Sequence, residues 1–126
     1  WLLQEPPGVA PQTPLDWDGE ERWLGPGLGW VRRRLGPGGI DRRFWSDGNV
    51  QIAYRHAGLR CRPAGRAGRR SFKKLAQECD IPPWLRAITP IVLIGERPAA
   101  IASCCVCEPF AAPVGEDGWI VSWQPD

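Results

Sequence analysis

The chain has 126 residues, enough for one domain or a domain with a short annex and too few for several. Hydrophobic residues at 43% with eight tryptophans exclude a disordered chain, while fifteen glycines and fourteen prolines exclude long helices, leaving a strand-rich, turn-rich body. A net charge of +2 hides an uneven distribution, because residues 55–74 hold eight of the sixteen lysines and arginines and no acid.

Methionine is absent throughout, so the chain is expected to be a piece of a longer protein. No apolar run approaches the ~18 residues that cross a bilayer, and the amino end lacks a basic flank followed by an apolar segment. A soluble, cytoplasmic chain without membrane contact is expected. Five cysteines is an odd number, and Cys104, Cys105 and Cys107 crowd one predicted strand, where neighbours point to opposite faces. Reduced thiols are the expectation.

Residues 1–14 are proline-rich and aperiodic, as suits a linker arriving from a preceding domain. Residues 15–48 read as a strand-rich annex. Its short apolar patches are divided by Asp18-Gly19, Gly25-Pro26-Gly27 and Gly36-Pro37-Gly38-Gly39, which predicts two or three short antiparallel strands. The main domain is expected over 49–126. There Val50, Ile52 and Tyr54 alternate with Gln51, Ala53 and Arg55, the period that lays one face of a strand on a core. After a Pro63–Gly68 loop, Ser71 can cap a helix whose Phe72, Leu75, Ala76 and Cys79 share a face, and Pro82-Pro83 stop it. Pro83 starts a further helical turn with Trp84, Leu85 and Arg86. Pro90–Ile94 and Ala99–Cys107 read as strands joined at Gly95-Glu96, and Trp119–Trp123 as a last strand. The fold class is therefore α+β, mainly antiparallel sandwich-like sheet layers with one main covering helix.

The segment from Arg55 to Lys74 intersperses arginines with glycines, so several guanidinium groups can reach one surface. Each planar fork holds two phosphate oxygens, and each neutralised phosphate releases counterions, which makes a polyanion the natural partner. Lys73 and Lys74 fall in the first turn of the predicted helix, where the macrodipole disfavours cations by roughly 0.3–1 kcal/mol. Their placement makes sense if an anion docks there. The plainer alternative is a solvated cationic face. Trp84 and Arg86 could stack on a base and hold a phosphate, although a tryptophan in a proline turn is more often a core anchor.

Catalytic chemistry is not legible. The serines, Ser46, Ser71, Ser103 and Ser122, lie in no glycine-rich strand-to-helix turn that would cradle pyrophosphate, and no base and orienting acid can be assembled around the sole histidine, His56. No catalytic residue is assigned. Zinc sites prefer gaps of two to four residues between paired ligands, so the Cys104, Cys105, Cys107 spacing argues for small core-filling side chains and no metal. Asp16, Asp18, Glu20 and Glu21 read as solvated hairpin surface.

The run "RAGRRSFKKLAQECDIPPWLRAITPIVLIGERPAAIASCCVCEPF", residues 66–110, resembles the C-terminal domain of bacterial tRNA(Ile)-lysidine synthetases. The shared order is a basic strand ending at Arg60–Arg62, a Gly65–Arg70 loop, the Ser71–Gln77 helix, the Ile81–Arg86 turn, and strands at Pro90–Ile94 and Ala99–Phe110. The likeness continues more weakly through 115–123 and 15–30. Leu59, Ala76 and the cysteine cluster depart from the usual pattern. The resemblance implies a fold similar to a module of the phenylalanyl-tRNA synthetase β chain. It also implies a parent ligase that uses ATP, with magnesium, and lysine to convert wobble cytidine 34 of tRNA(Ile) to lysidine. It places that chemistry in an N-terminal catalytic domain and leaves this fragment noncatalytic and without a cofactor of its own. The RNA-binding residues it implies are Arg60, Arg62, Arg66, Arg69, Arg70, Lys73, Lys74, Trp84 and Arg86, gripping tRNA near its acceptor end. A second expectation is a structural or dimerisation module that docks on the catalytic domain or forms a homo-oligomer.

Overall fold

Strand β4 (Val50–Tyr54) is the element from which the architecture is built. Val50, Ile52 and Tyr54 enter one core cluster, as their spacing predicts, while Ala53 on the opposite face enters another. β4 lies inside a five-stranded antiparallel sheet in the order β1 (Leu15–Asp16), β4, β7 (Pro90–Ile94), β8 (Arg97–Ile101), β9 (Cys105–Val106), and a layer packs on each face of that sheet. Strand β7, in the middle, is buried along its whole length, which explains its unbroken apolar sequence. The computed structural model describes residues 10–46, 48–54 and 58–125. Residues 1–9 of the expected linker, together with Arg55 and His56, lie outside the described residues.

One face of this sheet packs against a three-stranded antiparallel sheet, with β3 (Trp30–Pro37) between β2 (Arg22–Trp23) and β10 (Asp117–Gln124). Val31 and Val121 from that layer join Val50, Ile52, Val92 and Ile94 in the larger cluster. Strands β3 and β10 pair in continuous register from Trp30↔Gln124 to Pro37↔Asp117. The expected annex and main domain therefore share both sheets and one core, since β1 also pairs with β4. The Gly36-Pro37 pair lies within β3 rather than ending it, and the turn begins at Gly38.

The opposite face is covered by helix α1 (Phe72–Glu78), whose Leu75 packs with Ile91, Leu93 and Ile101. This layering is the α+β arrangement expected from the sequence. Ser71 caps α1 as predicted, its Oγ accepting the Lys74 N–H at 3.3 Å. The helix ends before the double proline: past its Cys79 cap, Asp80 takes a left-handed φ of 58° and Ile81 N–H donates to the Ala76 carbonyl. Ser71→Ala should cost about 1 kcal/mol, read as a lower urea midpoint at unchanged slope. A 3-10 turn, Pro83–Ile88, follows as the prolines suggest.

Two expectations are corrected. The strand predicted over 99–107 is broken: β8 ends at Ile101, and a turn with Ser103 at φ 58° leads into β9. That turn is fastened to β10, with Ser103 N–H donating to the Val121 carbonyl at 3.0 Å and Trp123 N–H donating to Ser103 Oγ at 2.8 Å. The cysteines therefore sit on a hairpin, not along one strand. Nor are all thiols reduced, because Cys61 is bonded to Cys107 and Cys79 to Cys104, leaving Cys105 as the free thiol. Each partner comes from a separate element, and the Cα separations of 5.3 and 5.5 Å suit a disulfide. The spacing within the 104–107 cluster had no bearing on these pairings.

Candidate nucleic-acid interface

The basic segment folds as a ribbon, a loop and a helix. Strand β5 (Arg60–Cys61) pairs with β6 (Arg70–Ser71), setting Arg60 opposite Ser71 and Cys61 opposite Arg70, and β6 runs directly into α1. The ribbon is anchored by Cys61, 2% exposed, which buries it on the second core. Arg60, Arg62, Arg66, Arg69, Lys73 and Lys74 are exposed on this unit, and Arg70 is half-buried. An anchored, apolar underside leaves the charged side chains facing water.

Glu78, near the end of α1, divides the arginines into two groups. Its carboxylate accepts both forks of Arg66, at 3.1 and 3.3 Å, and lies 3.4 Å from Arg70 Nε. Arg66 and Arg70 thereby tie the loop and ribbon to the helix. Arg70 Nη1 is buried without a hydrogen-bond partner among the described residues. Arg60, Arg62, Arg69, Lys73 and Lys74 make no ion pair among the described residues. The charge available to a partner is thus concentrated in those five, fewer than the sequence suggested.

Trp84 is 70% exposed, which overturns the core-anchor expectation for it. The turn that carries it is held by Leu85 N–H donating to the Pro82 carbonyl and by Thr89 Oγ1 donating to the Leu85 carbonyl at 2.8 Å. Leu85 enters the core in its place. Arg86 is half-buried, with Nε donating to the Ile81 carbonyl at 3.0 Å, so part of its fork is occupied in bracing the turn.

The structure reveals a second basic group outside the 55–74 segment. On β3, Trp30, Arg32 and Arg34 are exposed and alternate with buried Val31 and half-buried Arg33. Trp23 lies opposite Trp30, and the two indoles are 48% and 41% exposed. Arg33 turns inward, its guanidinium 3.8 Å from the Trp119 ring and 4.5 Å from Trp45. Burial holds its pKa below the ordinary value, against the opposing pull of Glu20 and Asp18. The period of two in Trp30-x-Arg32-x-Arg34 was the signal that could have revealed this face.

Ser46 lies in the irregular segment before β4, Ser103 in a turn and Ser122 within β10, and Ser71 enters α1 without an intervening glycine. None of them heads a loop fit for pyrophosphate.

An α+β domain that joins a basic ribbon, loop and short helix to a double-sheet core defines the class. Residues 50–123 match the family described as the TilS substrate C-terminal domain, and the chain belongs to that family. Among curated relatives it is 40% identical to a tRNA(Ile)-lysidine synthase of Methylococcus capsulatus over 86% of this chain and 25% of that protein. It is 38% identical to the proteins of that name from Azoarcus sp. and Shigella flexneri, over 99% and 98% of this chain and 27% and 28% of theirs. The chain spans about a quarter of the length of these relatives.

Proposed function

We propose that this chain is a tRNA-gripping C-terminal region of a tRNA(Ile)-lysidine synthase, noncatalytic itself and acting in the cytoplasm. The reading rests above all on the five exposed cations of the ribbon, loop and helix, which no carboxylate neutralises among the described residues. Trp84 stands on the turn that follows α1 and offers an open aromatic face for a base or a ribose. The contacts would position the RNA more than read its sequence, because a guanidinium or ammonium group on a phosphate carries no base information. A helix of only seven residues adds little macrodipole, and one of its first N–H groups is already taken by Ser71. The lysine side chains themselves therefore supply most of the attraction at that end.

In this reading ATP with magnesium, and the attack of lysine on the activated wobble cytidine 34, belong to an N-terminal catalytic domain. The serines here fit no phosphate loop, which supports that division. Binding of tRNA(Ile) to the chain, followed from low to physiological salt, should show log affinity falling linearly with log salt at a slope of roughly −3 to −5. Failure to bind at low ionic strength would overturn the proposal. A docking role is favoured by a different observation, the adjacent exposed indoles of Trp23 and Trp30. Sedimentation at several concentrations separates the two readings: a strict monomer that binds tRNA removes self-association through that face.

A further inference from the structure

Three of the five cysteines converge on one point. The sulfurs of Cys61, Cys105 and Cys107 all lie within 4.8 Å of one another, and Cys61 Sγ is 4.0 Å from Cys105 Sγ. Cys105 and Cys107 are two residues apart at the β9 end of the hairpin, so both side chains fall on one face, towards the ribbon strand that carries Cys61. Cys104, the other member of the sequence cluster, is bonded instead to Cys79 on the far end of α1. The convergence is held by backbone rather than by sulfur: Ala64 N–H donates to the Val106 carbonyl, Glu108 N–H to the Arg62 carbonyl and Cys107 N–H to the Ala99 carbonyl, at 2.8 to 3.0 Å. Opening the Cys61–Cys107 bond lets those two sulfurs part to ordinary contact by side-chain rotation, while the backbone keeps the three thiols together.

The shape of the trio selects among its possible chemistries. Handing a disulfide from one cysteine to the next requires three sulfurs near a line, which with an S–S bond of about 2.05 Å and contact at 4.0 Å would set the outer pair roughly 6 Å apart. Here every pair is within 4.8 Å, so the sulfurs form a compact triangle. Zinc bonded to thiolates at about 2.3 Å puts neighbouring sulfurs of a tetrahedron about 3.8 Å apart, close to the Cys61–Cys105 separation. Cys61 and Cys107 are buried among Leu59, Leu75, Ile91 and Ile101, and Cys105 is half-buried beside the crevice lined by Arg34, Ser103 and Ser122. Cys105, the least buried of the three, marks the side from which a fourth ligand would have to reach the metal.

We propose that Cys61, Cys105 and Cys107 form a three-thiolate zinc site that is populated when the Cys61–Cys107 disulfide is reduced. A dithiol reductant supplies two electrons and two protons, becoming a disulfide itself and leaving Cys61 and Cys107 as thiols. Zinc(II) then displaces a proton from each of the three thiols. Oxidation of the pair removes two ligands at once, so disulfide and metal are mutually exclusive occupants of the same place. Burial pushes the Cys105 thiol up to about 11, with Glu78 reinforcing and Arg66 opposing the rise.

Cobalt(II) serves as the probe. The full chain, reduced with a phosphine and checked for folding by circular dichroism, should take up one equivalent. Binding should bring thiolate-to-cobalt charge-transfer absorption in the near ultraviolet and the intense red bands of a tetrahedral site, both bleached by zinc. Cys105→Ser, which breaks no disulfide, should weaken cobalt binding by at least about tenfold, whereas Cys79→Ser should leave it unchanged. Absence of the charge-transfer band in folded, reduced protein overturns the proposal, as does equal affinity in the Cys105→Ser chain. If reduction alone unfolds the chain, zinc must restore its dichroism, and failure to do so overturns the proposal equally.

Discussion

Exchange of Arg62, Arg69, Lys73 and Lys74 for glutamate is expected to lower affinity for tRNA(Ile) by at least about a hundredfold near physiological salt, and to remove most of the salt dependence that remains. The four were chosen because none has an ion-pair partner among the described residues, so reversing them leaves no carboxylate stranded. Arg66 and Arg70 are spared, since they hold Glu78 between the loop and the helix, and their replacement would loosen the ribbon as well as change its charge. The variant should unfold at a temperature close to that of the parent, as exposed substitutions usually change stability by little. Filter binding across a salt series measures both effects. Unchanged affinity together with an unchanged slope would dispose of this surface as an RNA contact.

The largest stability effect should come from a methyl group. Gly39 and Gly118 meet backbone to backbone where β3 gives way to Ile40, and a Cβ at Gly39 would lie 2.5 Å from the Gly118 carbonyl carbon and 2.6 Å from its oxygen. Neither atom belongs to a side chain that could swing aside. The contact is framed by reciprocal hydrogen bonds between Ile40 and Trp119 and by Ala112 N–H donating to the Gly39 carbonyl, all at 2.8 Å. Gly39→Ala must push the strands apart, stretching those bonds and lifting Ile40, which is fully buried, from the core. Overpacking costs about 1–3 kcal/mol and each weakened hydrogen bond about 1 more. A total near 3 kcal/mol or above corresponds to a fall in melting temperature of roughly 10 °C or more. Gly38→Ala is the contrast: its Cβ meets nothing within 4 Å, and only the strain of a φ of 80° remains. That exchange should cost about 1 kcal/mol. Equal melting temperatures for the two variants would refute the argument from close approach.

How much of this was legible in the sequence depended on whether the cause was local. The Ser71 cap, the apolar face of α1 and the period of β4 follow from residues within a few positions of one another, and the structure has them. The basic ribbon was equally open to reading, because its charges are adjacent in the chain. What escaped were consequences of distant partners. Glu78 occupies two of the arginines only because α1 folds back beside the loop. Trp84 is exposed because Leu85 takes the buried position on its turn. The cysteine trio draws its third member from β5, more than forty residues before the other two, and no spacing rule applied to 104–107 could reach it.

The long pairing of β3 with β10 bears on how the molecule comes into being. Trp30 finds its partner in Gln124, so a nascent polypeptide leaving the ribosome carries a central strand paired only with the two residues of β2 until almost the whole domain has emerged. Contacts of such wide separation close slowly, and the waiting strand, with Trp30, Val31 and Leu35 uncovered, is what chaperones bind and proteases sample. Synthesis of the final strand is thus the step that commits this domain to its native state.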